Sequence, residues 1–426
     1  MAAACAIALV IGCSSETESG AVERVTLNAA TLTLSPGATG KLTATVLPEN
    51  ADDKTVTWSS SDTEVATVGE DGTVTAVKAG EANITARAGG KTAACAVTVC
   101  VHSYSGDRCT KCGFPKPVLE DGEIDDDGVL TKYSGNEATV VIPNGVMAIG
   151  EDAFFQCTSL TSVDIPDSVT AIGEFAFWGC TSLMSVKIPD GVTSIGRQAF
   201  RGCTSLTDVT IPEGVTSIGK YAFYECESLT SVTIPASVVI IGGSAFGRCT
   251  SLTEVKIPGS VTDIGEYAFY FCESLKTVEI SDGVTSIGDS AFSGCKSLES
   301  VTIPDGVTSI GDSAFSGCKS LESVTIPEGV TEIEQYAFWG CTSLASVTIP
   351  DGVTSINLQV FSGCTSLVSV VIPASVTSIW VYAFDGCTSL TTINYTGTKE
   401  DWNAITKGSP WDDDTGDYTI TYNYTE

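Results

Sequence analysis

A single histidine, His102, stands in a chain of 426 residues. Histidine is the side chain whose ordinary pKa suits proton transfer near neutral pH, so its scarcity removes the commonest catalytic acid or base. Cations are also few: 21 Lys and Arg face 52 Asp and Glu, for a net charge of −31. Nucleic acids and anionic membrane surfaces both need a positive face, and this balance argues against either as a partner. Beyond the N-terminal segment no apolar run reaches the 18 residues that a membrane-spanning helix requires. What the chain does have is 43% apolar residues, 17 cysteines and enough length for two or three folded units.

The N-terminus reads "MAAACAIALVIGCSSETESG". An apolar run, Ala2 to Ile11, ends in small residues and a cysteine and is followed by polar sequence. It resembles a bacterial lipoprotein leader, with Val10-Ile11-Gly12-Cys13 as the lipobox, although no Lys or Arg precedes the run. The resemblance implies that residues 1–12 are removed, that Cys13 carries lipid, and that residues 13–21 act as a tether. An ordinary secretory leader is the alternative, and export follows from both. The implied location is the bacterial cell envelope, at the cell surface, with the membrane touched only through the lipid.

Residues 22–99 alternate in short runs, "KLTATVLP", "KTVTWSSSD", "EVATVGEDGTVTAV" and "EANITARAGG", separated by Gly, Pro, Asn and Asp. This is the pattern of a β-sandwich. Leu34 and Gly37, Val56 to Ser60 around Trp58, Val65 to Val68, Gly72 to Val74, "KAGEANITA" and "CAVTV" resemble the group 2 bacterial Ig-like domain from end to end. The resemblance implies a spacer or adhesion module with Trp58 in its core.

"CVHSYSGDRCTKCG" follows, placing Cys100, His102, Cys109 and Cys112 in a C-x-H-x6-C-x2-C cluster. Four soft ligands at this spacing suit a tetrahedral structural zinc with no open position. A loop with one disulfide and a spare thiol is the alternative for an exported chain. The acidic stretch Leu119 to Gly128 lacks the ligand spacing of a calcium loop and reads as a solvated linker, so that 100–128 is knuckle plus linker.

From Val146 to Thr398 the chain parses without gaps into eleven units of 23 residues, "VTSIGxxAFxGCTSLxSVTIPDG". A half unit, "VLTKYSGNEATVVIPNG", precedes them. A fixed period of this length predicts a solenoid whose units bury their apolar sides only against neighbours. "LxSVTIP" alternates as a strand with Leu, Val and Ile inward; Pro ends it, "VTSI" is a second short extended segment, and "xxAFxGC" is a tight corner. Stacking predicts parallel ladders with coils about 4.8 Å apart. The motif "LxxVxIPxxVxxIGxxAFxxC" resembles the BspA-like, treponemal-type leucine-rich repeat of microbial surface proteins. The predicted fold is therefore mainly β: an Ig-like sandwich, a solenoid over 129–398 and a cap over 399–426. Ser281 in place of Pro, Glu334 and Trp380 in place of Gly, and Val360 in place of Ala predict local distortion only.

Function then belongs to the positions that vary. One track is the Ser/Thr-rich outer side of the main strand, such as Ser300/Thr302 and Ser323/Thr325. The other flanks the "AF" corner, with candidate contacts at Trp178, Tyr221, Tyr224, Tyr267, Tyr270, Tyr336, Trp339 and Tyr382, accompanied by Phe155, Phe175, Phe271 and Trp380. Such aromatics either pack over the coil edge or form a ridge suited to protein hot spots or sugar rings. Serine fills both flanks in the near-identical coils at Val284 and Val307. Eleven cysteines, from Cys157 to Cys387, fall one per coil with parallel side chains and Cβ atoms a coil apart. Disulfides need about 3.8 Å and converging vectors, so these are predicted to be buried thiols acting as small fillers. No segment interrupts the rhythm to build a catalytic pocket. The resemblance implies a surface adhesion protein binding host extracellular matrix or other bacteria; a glycan-binding protein for nutrient capture or a structural envelope protein are the alternatives.

Overall fold

The computed structural model describes residues 20–34, 36–113 and 115–425, and the chain divides into two compact units, one up to Val101 and one from His102. The expected leader and Cys13 lie outside the described residues.

In the first unit the alternating runs form the predicted sandwich. A four-stranded sheet orders Thr31–Leu34, Lys91–Val99, Gly80–Ala88 and Thr57–Ser60, and a three-stranded one orders Thr39–Lys41, Thr73–Ala76 and Ala66–Val68. Inward residues Leu42, Val74, Ile84, Cys95 and Val97 are buried between them. Trp58 is half-buried, packed against two core clusters rather than enclosed in one.

In the second unit each 23-residue copy makes one coil, and we number the coils 1 to 11 from Val146 to Val376. The main strand pairs in parallel with its copy in the next coil, as in Val301↔Val324, giving a 13-stranded ladder from Thr139–Val141 to Thr419–Thr421. Each two-residue strand after the turn, such as Ser309–Ile310, builds a second parallel ladder. Proline ends the main strand because it has no N–H to donate. Where Ser281 stands instead, its amide donates to the Ile257 carbonyl at 3.0 Å and the strand Thr277–Ile280 is one residue longer.

The corner adds a third line of coil-to-coil bonds. Ser290, Phe292 and Gly294 amides donate to the carbonyls of Asp312, Ala314 and Ser316 at 2.7, 2.8 and 2.7 Å. Every other amide thus reaches forward, and the residues between must turn back. The second x of "VTSIGxxAF" is left-handed in all eleven coils, φ 52–59°, and is never glycine: it is Phe175, Tyr221, Tyr267, Ser290, Tyr336 or Tyr382 in six of them. Bonds on both sides hold it there, since Ser290 donates forward while its carbonyl accepts from Ser293 at 3.1 Å. The glycine that follows the first Ile of the motif in coils 1 to 8 is a matter of space. A Cβ at Gly196 would lie 2.5 Å from the Gly173 backbone of the preceding coil.

Each end of the solenoid carries a segment that departs from the repeat. The acidic segment is not simply a linker: Gly122–Ile124 pairs antiparallel with Val129–Tyr133 and covers the first edge, with Leu119 and Ile124 packed on the core. An uncovered edge strand would expose unpaired backbone, and this strand covers it. At the other end the segment after Thr398 imitates a coil. Thr406–Lys407 and Thr419–Thr421 extend both ladders, and the carbonyls of Pro410, Trp411 and Asp413 accept the corner amides of Tyr382, Phe384 and Gly386.

Candidate functional site

Burial divides the corner aromatics into two sets. Phe155, Tyr267, Trp339, Trp380 and Tyr382 are exposed; Phe175, Trp178, Tyr221, Tyr224, Tyr270, Phe271 and Tyr336 are half-buried. Phe155 and Trp178 stack at 4.7 Å, and Trp380 is tied by its indole N–H to the Ser355 hydroxyl at 3.0 Å. Tyr221 and Tyr224 meet edge to face at 5.3 Å, as do Tyr267 and Tyr270. These aromatics sit where the left-handed corner backbone and the turn after the invariant Phe present them outward. The invariant Phe itself is core, stacked from Phe154 to Phe384 at 4.9–5.7 Å.

Cations gather on the same face. The Arg201 guanidinium lies 5.8 Å from the Tyr221 ring and 5.2 Å from Tyr224, and Lys220 lies 5.4 Å over Tyr221. Arg197 sits 5.6 Å over Phe175, and Arg248 5.9 Å over Phe271. A groove of about 620 Å3 runs across coils 1 to 4 here. Trp178 walls it, Gly179 and Gly202 are its floor, and Gln156, Arg201 and Glu225 are its polar groups. Arg201 Nε is buried without a hydrogen-bond partner; the Glu225 carboxylate is 3.8 Å away. Sequence reading picked out Trp178 and the tyrosines but passed over these arginines, whose signal was their clustering at corner positions of coils 3 to 5 in an acidic chain.

The outer side of the main ladder is the expected Ser/Thr strip. Its one ion pair across coils among the described residues, Lys256–Glu279 at 2.5 Å, is exposed and contributes little. A shallow hollow of about 500 Å3 lies beside it.

The cysteine–histidine segment folds as a tight hairpin, Tyr104–Ser105 against Arg108–Cys109. The possible ligand atoms of Cys100, His102, Cys109 and Cys112 all lie within 4.8 Å of one another. Cys112 Sγ is 3.3 Å from His102 Nδ1. His102 and Cys109 are buried and Cys112 is half-buried. Burial pushes the Cys109 thiol up, but N–H groups of Cys112, Lys111 and Ser103 and the His102 ring outweigh it and bring it to about 5.

Among the described residues no cysteine forms a disulfide. In the solenoid column each thiol from Cys180 onward donates to the carbonyl of the invariant Phe one coil back, as Cys295 does to Phe269 at 3.3 Å. These sulfurs are therefore more than fillers, because they satisfy a second lone pair of a buried carbonyl. Burial raises their pKa, to about 12 at Cys180, Cys272, Cys341 and Cys387. Such thiols are unreactive in the folded chain.

Comparison with known proteins agrees with this architecture. Overlapping stretches at 132–246, 175–299, 216–344 and 285–404 match the BspA type leucine rich repeat region, and residues 21–99 match the bacterial Ig-like domain (group 2). A leucine rich cell surface protein of Faecalibacterium prausnitzii A2-165 is 36% identical, with a TM-score of 0.40, over 67% of this chain and 95% of that one. A leucine-rich repeat protein of Bacteroides ovatus is 30% identical, with a TM-score of 0.42, over 72% and 91%. Shorter matches join the chain to an alpha-L-arabinofuranosidase of Bifidobacterium longum, 59% identical over 70 residues, and a lacto-N-biosidase of Bifidobacterium bifidum, 38% over 128 residues. They span 16% and 29% of this chain but only 7% and 11% of those enzymes. With the repeat match running from residue 132 to 404, the chain belongs to the BspA-type leucine-rich-repeat proteins and carries a group 2 bacterial Ig-like domain before the repeats.

Proposed function

We propose that this chain is a binding protein of the bacterial cell surface, held through lipid on Cys13, that uses the corner face of coils 2 to 6 to dock an acidic segment of a protein partner. The carrying observation is a local cluster of cations among aromatics. In a chain of net charge −31, Arg197, Arg201, Lys220 and Arg248 share one face with Trp178, Tyr221 and Tyr224. Arginine and aromatic side chains are the residues that dominate interface energies, and opposite charge speeds encounter. The partner class is host extracellular matrix protein or the surface protein of another bacterium. The solenoid is a scaffold in this reading and performs no catalysis.

Immobilised full chain titrated with candidate matrix proteins tests this. Saturable binding should weaken as salt rises and lose at least about tenfold in affinity in Arg201→Gln and in Trp178→Ala, on the scale of a single hot spot. Binding that both variants leave intact overturns the docking face. A glycan ligand is the second reading, favoured by Trp178 beside a floor of Gly179 and Gly202, an arrangement on which a sugar ring can stack. Two relatives with short matches bear the names of glycan-cleaving enzymes. Glycan-array binding that disappears in Trp178→Ala or Trp339→Ala selects it. Pull-down that returns no saturable partner selects a purely structural role.

A further inference from the structure

We propose that Cys100, His102, Cys109 and Cys112 hold one zinc ion in a closed, structural site. Three cysteines and one histidine are a common tetrahedral donor set, and the hairpin delivers them from 13 consecutive residues. The argument is geometric. In a zinc tetrahedron with Zn–S about 2.3 Å and Zn–N about 2.0 Å, donor atoms lie roughly 3.5–3.8 Å apart. Here all four lie within 4.8 Å, and the Cys112 Sγ to His102 Nδ1 separation is already 3.3 Å. A contraction of about 1 Å at the widest pair completes the sphere, within the reach of side-chain rotation.

The surroundings favour metal over a disulfide. A disulfide would join two of the three sulfurs and leave a third sulfur and a buried imidazole facing it, whereas zinc uses all four. Backbone N–H groups from Ser103, Lys111 and Cys112 are directed at the Cys109 sulfur, the outer-shell pattern that holds a metal-bound thiolate. The hairpin is itself fixed: Tyr104 is buried, its amide donates to the Asp126 carbonyl at 2.5 Å, and Lys116 pairs with Asp126 at 2.8 Å. On binding, each of the three cysteines coordinates as thiolate, the protons pass to solvent, and the imidazole binds neutral, leaving a net charge of −1 on the site. With four protein donors there is no vacant position for water, so the ion stabilises the fold and does no chemistry.

The full chain, purified under reducing conditions and without added chelator, should contain one zinc per chain by elemental analysis. Exchange with Co2+ should produce the visible bands of a tetrahedral cobalt thiolate site. Thiol labelling of the folded chain separates this cluster from the solenoid column: chelation should expose three additional reactive thiols while the column stays unlabelled. His102→Ala and Cys109→Ser should lose the metal. The wild-type labelling count needs no variant to fold. Metal-free protein whose mass is lower by two hydrogens, with the bond mapped between two of these three cysteines, overturns the proposal. So does zinc that survives both substitutions.

Discussion

The cysteine in each coil is the residue where composition is most easily misread. Seventeen cysteines first suggest a disulfide framework, yet one thiol per coil, repeated in register, forms a column of S–H donors to phenylalanine carbonyls. Its consequence is a pH limit. The ordinary thiol value is 9.0, and burial raises the folded value well above it at Cys226, Cys249, Cys295, Cys318 and Cys364. Below that ordinary value both states keep the proton and stability is fully present. As pH rises past it, the unfolded chain releases protons that the folded chain retains. Each thiol then withdraws about 1.4 kcal/mol per pH unit until its folded value is reached. With ten such thiols, Tm should fall steeply between about pH 9 and pH 11, and replacing Cys295 and Cys318 by Ala should flatten that fall. A flat Tm across this range, or alkylation of column thiols in folded protein at neutral pH, would show that the column is not sealed.

At the level of the element, a single side chain interrupts the second ladder. In most coils the glycine amide bonds the isoleucine carbonyl of the coil before, as Gly288 does to Ile264 at 3.0 Å and Gly311 to Ile287 at 2.9 Å. The series continues through Glu334, whose amide reaches Ile310 at 2.9 Å, but Asn357 offers its side-chain Nδ2 to Ile333 at 2.8 Å in place of its backbone. There the eleven-stranded sheet ends and a three-stranded one begins, and the phenylalanine stack has its widest step, 5.7 Å between Phe338 and Phe361. Glu334 and Trp380, where only local distortion was expected, keep this bond at 2.9 Å; the break falls at Asn357, a replacement the sequence reading did not single out, while the main ladder passes through unbroken. Hydrogen exchange should find the Asn357 amide less protected than those of Glu334 and Trp380, and Asn357→Gly should slow its exchange by about tenfold or more as the ladder closes. Equal protection in the parent chain would sink this account. The contrast shows what kind of structure the letters carry. Period, strand phase and core identity are written as invariant Leu, Val, Ile, Ala, Phe and Cys, so coils and sandwich were readable. The left-handed corner was not, because Asp152, Gln198, Ser244 and Tyr336 share no chemistry. They share only a hydrogen-bond position. The coil-like ending was hidden for a related reason: "ITKGSPW" keeps the backbone bonds of "VTSIGxxAF" while changing nearly every side chain.

For the whole molecule, the decisive property is that each coil touches only its neighbours, so stability is close to a sum over coils and interfaces. Function need not be spread the same way. The contacts of Arg197, Arg201, Lys220 and Arg248 with aromatic rings lie on coils 2 to 6, whereas coil 7 adds only Lys296 over Phe271 and coils 7 and 8 present Ser290, Ser293, Ser313 and Ser316 at the corner. Coils 7 and 8 differ only at Asp305 and Glu328. Deleting residues 284–306 joins Gly283 to Val307 and tests both statements at once. Lys319 then takes the place of Lys296 beside Glu273, a pair now at 2.7 Å, and Gly317 replaces Gly294 against the Phe271 ring. A Cβ at that glycine would lie 2.9 Å from the ring, so the replacement had to be another glycine, and it is. Phe315 stacks on Phe269 as Phe292 did, Cys318 finds the Phe269 carbonyl, and both ladders keep their register because one full period has been removed. The shortened chain should unfold cooperatively with a modest fall in Tm, keep its β-rich circular dichroism, and bind the same partner within about twofold of the parent affinity, as expected for distant and independent sites. Aggregation or loss of cooperative unfolding would mean that coils are not interchangeable neighbours. A folded deletion that no longer binds would move the contact surface off coils 2 to 6 and onto the serine-cornered copies.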